Sequence, residues 1–192
     1  MSSAPTAYLT PEEYLEQERK AERKSEYFRG EVFAMAGASP EHILIVGNIF
    51  AGLHQQLRKS RCNVYSNDLR VAVTPTGLYT YPDVVVVCEP LTFADQHRDT
   101  VTNPVIIIEV LSDSTKDYDR GRKLESYRRL PSLMGYLTVA QDKIHIEHWI
   151  RQPDQHWLLR ESNDPGARLK LEPIDVELLL ADIYEKVELP GL

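Results

Sequence analysis

Cysteine is scarce in this chain of 192 residues: Cys62 and Cys88 are the whole supply. Two thiols exclude a cysteine-rich zinc module, make no disulfide framework and suit a reducing compartment. None of the six histidines, at 42, 54, 97, 145, 148 and 156, falls into a metalloprotease-type pair. Positive charge is also short, with 22 Lys and Arg against 29 Asp and Glu and a net charge of -7. That removes the basic field over the whole surface on which many non-specific nucleic-acid binders depend. The start, "MSSAPTAYLTPEEY", lacks a basic segment followed by an apolar one, and no run approaches membrane-spanning length. A cytoplasmic protein with no membrane partner is the expectation.

What is present is an ordinary globular mixture, 42% hydrophobic and 27% charged, enough for one well-buried core and short for two. The chain is therefore read as a single domain over 1–192. It has an N-terminal helix and hairpin at 8–37, a core at about 38–140, and a C-terminal β-meander and helix at about 141–192. Positive charge is locally clustered, in Arg58, Lys59 and Arg61 and again in Arg120, Arg122, Lys123, Arg128 and Arg129.

Local signals place the elements. Thr10, Pro11 and Glu13 form a capping-box start for a helix of three to four turns. Strand formers flank Arg29-Gly30 as a tight turn. A long helix follows Ser39-Pro40, with Ile43, Val46, Phe50, Leu53 and Leu57 as its apolar stripe and Gly47 and Gly52 as points of close approach. "CNVYS", "DLRVAV" and "PDVVVVC" read as strands, and 89–102 reads as a loop. Neither Val84–Cys88 nor Val105–Val110 alternates, so both belong in the middle of a sheet covered on its two faces. The segment from Ser114 to Pro131 is an amphipathic helix whose inner face is Leu124, Tyr127 and Leu130. Three strands then form a meander turning at Gln141-Asp142 and Pro153-Asp154, and a short helix over 178–186 closes the chain. The fold class is α/β, an α+β mixed sheet flanked by helices.

Two acids break this pattern. Asp83 leads the valine run, and Glu109 sits near the far end of the isoleucine run. If the two strands are antiparallel neighbours, the acids meet at one rim of the sheet. Paired carboxylates raise each other's pKa or share a cation, and hard oxygens at a strand edge suit Mg²⁺ or Mn²⁺. Lys123 could add positive charge from the next helix, where Asp119, Lys123 and Tyr127 share one face. The same residues admit plainer roles: Asp119–Lys123 as a surface ion pair, Asp83 as a strand start, Glu109 as a buried acid paired with an arginine.

The segments "YFRGEVFAMAGASPEH", "NDLRVAV", "YPDVVVV", "NPVIIIEVLSDST", "YDRGRKLESYRRLPSL" and "WLLRE" resemble a bacterial family of restriction endonucleases in the PD-(D/E)xK nuclease superfamily, over nearly the whole chain. The resemblance implies a restriction-endonuclease-like core and an endonuclease that cleaves phosphodiester bonds, in DNA, with Mg²⁺ or Mn²⁺; because cleaving a duplex needs two cuts, a homodimer is the expectation. The resemblance places the catalytic residues on Asp83, Glu109 and Lys123, the metal on Asp83 and Glu109, and supporting roles on Glu31, His42, Asp68, Ser112 and Asp119; Tyr127 joins the supporting residues through the helix face it shares with Lys123. The superfamily's usual lysine, two residues after the second acid, is replaced here by Leu111, so the lysine would come from the following helix. "LMGYLTVAQDK" also departs from the commonest family pattern. Plainer readings stay open: Glu31 as a hairpin residue, Asp68 as a turn cap, His42 as polar surface, Ser112 and Ser114 as cap or loop, Trp149 and Trp157 as meander core. The rival function is a module on a nuclease fold that binds nucleic acid or protein without cutting. RNA or a nucleotide phosphoester is the rival substrate.

Overall fold

The computed structural model describes residues 8–112 and 115–190. Helix α1 (Pro11–Glu18) starts as its capping box dictates: Glu13 N donates to Thr10 Oγ1 at 3.2 Å, and Thr10 N to Glu13 Oε2 at 2.8 Å. It has eight residues rather than three to four turns. Its last residue, Glu18, turns inward to accept the Ser25 backbone N–H at 2.9 Å. Strands β1 (Ser25–Phe28) and β2 (Glu31–Ala34) form the expected hairpin, and both turn residues, Arg29 and Gly30, have positive φ.

Helix α2 (Pro40–Leu57) is capped by Ser39, whose hydroxyl accepts His42 N. Its buried stripe is Ile45, Ile49, Leu53 and Leu57, while Ile43 is 60% exposed. The helix is thus rotated relative to the stripe expected from sequence. "ILIVGNIF" is apolar nearly all round, so two stripes share Leu53 and Leu57, and packing against the sheet decides between them. Gly52 is a close approach, with Leu178 2.8 Å from where a Cβ would lie; nothing comes near Gly47.

The strands that follow are β3 (Cys62–Ser66), β4 (Arg70–Val73), β5 (Leu78–Thr80), β6 (Val84–Cys88), β7 (Thr100–Val101) and β8 (Ile106–Leu111). After β8 come α3 (Lys116–Tyr118), a π-helical turn (Asp119–Lys123) and α4 (Leu124–Tyr127). The meander is β9 (Gly135–Ala140), β10 (Ile146–Arg151) and β11 (Trp157–Ser162). Strands β12 (Arg168–Leu171) and β13 (Val176–Leu179) form a further hairpin before α5 (Leu180–Ile183). Where a closing helix was expected over 178–186, the chain is strand to residue 179 and helical for four residues. Strand β5 and this hairpin are too short, at three and four residues per strand, to stand out by alternation.

A six-stranded sheet runs β11-β10-β9-β8-β6-β3, with β8 and β9 parallel and its other pairs antiparallel. Helix α2 and the β12–β13 hairpin pack on one face, against Val84, Val86, Ile106 and Ile108. The opposite face, with Val85, Val87 and Ile107, meets Leu124, Tyr127, Leu130 and residues of a five-stranded sheet, β2-β1-β5-β4-β7. Double coverage is why β6 and β8 are apolar without alternation. Each fully buried Val or Ile contributes about 1.5–3 kcal/mol relative to exposure. Cys62 and Cys88, expected to remain apart, are joined by a disulfide, because the β3–β6 register sets them directly opposite each other.

Candidate active site

The antiparallel pairing of β6 with β8 matches Val84 with Ile108, which puts Asp83 and Glu109 at the same rim of the six-stranded sheet. Asp83 Oδ2 accepts the backbone N–H of Val110 at 2.7 Å, so the first acid is clamped onto the strand that carries the second. Its other oxygen, Oδ1, lies 3.0 Å from His42 Nε2 in the first turn of α2. His42 therefore faces the acid rather than open surface.

Glu109 is 3% exposed. Its Oε1 accepts the Tyr127 hydroxyl at 2.8 Å and lies 3.1 Å from Lys123 Nζ. Lys123 is buried as well, and its ammonium is shared among three carboxylates: Glu26 at 3.0 Å, Glu109 at 3.1 Å and Asp119 at 3.2 Å. The π-helical turn from Asp119 to Lys123 carries the lysine and one of these partners, a widened turn of the kind common at functional sites. Tyr136 holds that turn from the sheet, its hydroxyl donating to the Asp119 carbonyl at 2.9 Å. The plain reading of Asp119–Lys123 as a surface ion pair fails, since both side chains are buried.

Burial pushes the Glu109 carboxyl up to about 8; Lys123 pulls it back, while Asp119, Asp83 and Glu26 add to the rise. The Asp119 carboxyl is likewise raised by burial against the pull of Lys123. Burial alone would lower Lys123, but Glu109, Glu26 and Asp119 outweigh it and hold the ammonium well above the usual lysine range. The Tyr127 hydroxyl is driven well above its ordinary value by burial and by the charges of Glu109 and Glu26.

Not every residue singled out from the sequence arrives here. Asp68 is a surface acid paired with Lys24 at 2.7 Å, its side chain 82% exposed. Glu31 is exposed on β2 opposite Phe28. Ser112 is half-buried beside the Thr115 hydroxyl at 2.9 Å, while Ser114 lies outside the described residues. Trp149 and Trp157 pack at the margin of the core on the helix side of the sheet, close to the plain reading. The residue that the sequence reading missed is Glu26. It is buried on β1, takes the Thr80 hydroxyl as donor and touches Lys123. An acid among strand formers in "SEYF" is the same signal that picked out Asp83.

Glu26, Glu109 and Asp119 thus share a single lysine, and Asp83 is clamped onto the strand that carries Glu109. Such a surplus of carboxylates is unfavourable away from water unless protons or a cation offset it. Asp119 Oδ1 is buried and lies 3.2 Å from the Lys123 ammonium. Oxygen donors of this kind fit a hard divalent ion. Among the described residues, the group of three whose ligand atoms lie mutually within 4.8 Å is a different one, His145, Glu147 and Glu161 on the outer meander. There Arg120 already lies 2.9 Å from Glu147.

Doubly covered mixed sheet, rim acids and a lysine from the following helix together describe a restriction-endonuclease-like fold. A crystal structure of a putative nuclease belonging to DUF820 from Anabaena variabilis superposes with a TM-score of 0.74, covering 92% of this chain and 97% of that one at 15% identity. The family model described as Uma2, putative restriction endonuclease, matches residues 11–181, and the chain belongs to that family. Two uncharacterized proteins of Synechocystis sp. are each 35% identical to it. The alignments cover 88% of this chain and 96% of one relative, and 95% of this chain and 94% of the other. No described helix is long and apolar enough to cross a membrane.

Proposed function

We propose that this protein is a divalent-metal-dependent endonuclease that hydrolyses phosphodiester bonds in DNA. The observation that carries the reading is the convergence, at one sheet rim, of two strand-borne acids with a buried lysine from the next helix. Asp83 and Glu109 would hold Mg²⁺ or Mn²⁺. Such an ion, when bound, polarises the phosphodiester and makes its bound water more acidic. His42 and the Val110 N–H keep the Asp83 carboxylate in one orientation, and Tyr127 does the same for Glu109. Lys123 supplies the fixed positive charge that meets the negative charge developing on the phosphorus oxygens. Glu26 and Asp119 hold that ammonium in place and charged. Because a duplex needs two cuts, a homodimer accompanies this reading.

The test is nicking of supercoiled plasmid in Mg²⁺ and in Mn²⁺, with wild type, an Asp83→Asn/Glu109→Gln double variant and Lys123→Met purified identically. Metal-dependent nicking lost in both variants supports the proposal; equal nicking by all three preparations, or none by any, counts against it. The rival reading, a module that grips nucleic acid without cutting, draws on the three carboxylates that already engage Lys123. It predicts metal-independent DNA binding that survives loss of Asp83. Competition between DNA and RNA separates the two phosphodiester substrates.

A further inference from the structure

The helix that faces Glu109 with Tyr127 faces outward with Arg128 and Arg129, both exposed. Those two arginines, with Glu125, Gln155 and Trp157, line a groove of about 350 Å³ between the end of α4 and the β10–β11 turn. Among the described residues, neither guanidinium has a carboxylate partner, and that of Arg128 lies 5.7 Å from the Trp157 ring centroid. A third guanidinium, of Arg151, braces the chain beside the groove. It donates to the carbonyls of Arg128 at 2.8 Å and Leu130 at 2.7 Å, and lies 4.9 Å from the Trp157 ring centroid. Within the lining, two positive charges stand against Glu125, a local excess in a chain whose net charge is -7.

We infer that this groove is a docking site for the phosphodiester backbone of a nucleic-acid strand, held outside the active site by Arg128 and Arg129 above Trp157. The inference rests on the phosphodiesterase reading and adds to it the place where the strand lies. Guanidiniums present paired donors to phosphate oxygens, and an aromatic face beside them accepts a base or sugar. The strand runs past α4, whose other face carries the residues on Glu109.

The experiment uses the full chain in its Asp83→Asn/Glu109→Gln form in EDTA, so that binding is read without cleavage. Trp149→Phe is added so that Trp157 is the one tryptophan left. Titration with a 12-nucleotide oligothymidylate should quench Trp157 and saturate. Arg128→Gln/Arg129→Gln should weaken binding at least tenfold and lower the slope of log affinity against log salt by about 1.4, two single-strand phosphate contacts. Glu125→Gln should tighten binding, a change that damage to the fold would not produce. Unchanged affinity and slope in the arginine variant, or the same saturable quench from inorganic phosphate alone, would overturn the inference. Plasmid nicking by the active-site wild type is scored separately. Nicking with no groove effect defeats only the groove, and groove binding without nicking defeats only the nuclease reading.

Discussion

Replacing Lys123 by methionine should cost stability in a manner set by pH, because the ammonium is the counter-charge of three buried carboxylates. Removing one partner of a buried ion pair costs about 3–5 kcal/mol, most of it from the charges left behind. The sign follows from linkage: a carboxyl whose folded pKa is raised contributes stability that is present below its unfolded value and lost as pH rises through the folded one. Glu109 is raised from 4.5 to about 8 even with the lysine in place, and Asp119 is raised too. At pH 5 Glu109 carries a proton in the variant and the loss should be smaller. By pH 8.5 it should reach the full range, read as the shift in urea unfolding free energy against wild type. Adding Glu26→Gln to the variant should recover about 1–3 kcal/mol at pH 8.5, since it removes one uncompensated charge. A loss of equal size at both pH values, or further destabilisation by Glu26→Gln at pH 8.5, would refute this account of the cluster.

His148 is buried with its Nε2 unpaired, and burial lowers its pKa from 6.5 to about 4. A depressed value means stability present above pH 6.5 and lost as pH falls toward 4, by about 3 kcal/mol for a shift of this size. His148→Leu should flatten that limb of the unfolding profile, and an unchanged limb would contradict the assignment. Light scattering at working concentration should give twice the monomer mass of 22.0 kDa, and a monodisperse monomer would remove the homodimer from the proposal.

Asp83, Glu109 and Lys123 were legible because each interrupts a pattern: acids at the ends of apolar runs, and a lysine one turn before Tyr127. The same rule applied to β1 would have found Glu26. Glu31 drew attention instead, yet it lies on β2 at the sheet edge, exposed. The rotation of α2 was not legible, because "ILIVGNIF" offers apolar side chains on every side and the choice belongs to the residues of β6 and β8 that it covers. The β12–β13 hairpin escaped for a different reason. Its alternating burial lasts four residues per strand, and it pairs as a two-stranded sheet of its own rather than joining a large one. The disulfide depends on register, which sequence spacing alone does not give.

The measurement that tests the central claim most directly is anomalous diffraction from a crystal of the wild-type protein soaked in Mn²⁺. The account predicts an ion bound by the carboxylates of both Asp83 and Glu109 and absent from crystals of the Asp83→Asn/Glu109→Gln variant. An ion found solely at His145, Glu147 and Glu161, or density at the rim that persists in the variant, would contradict it.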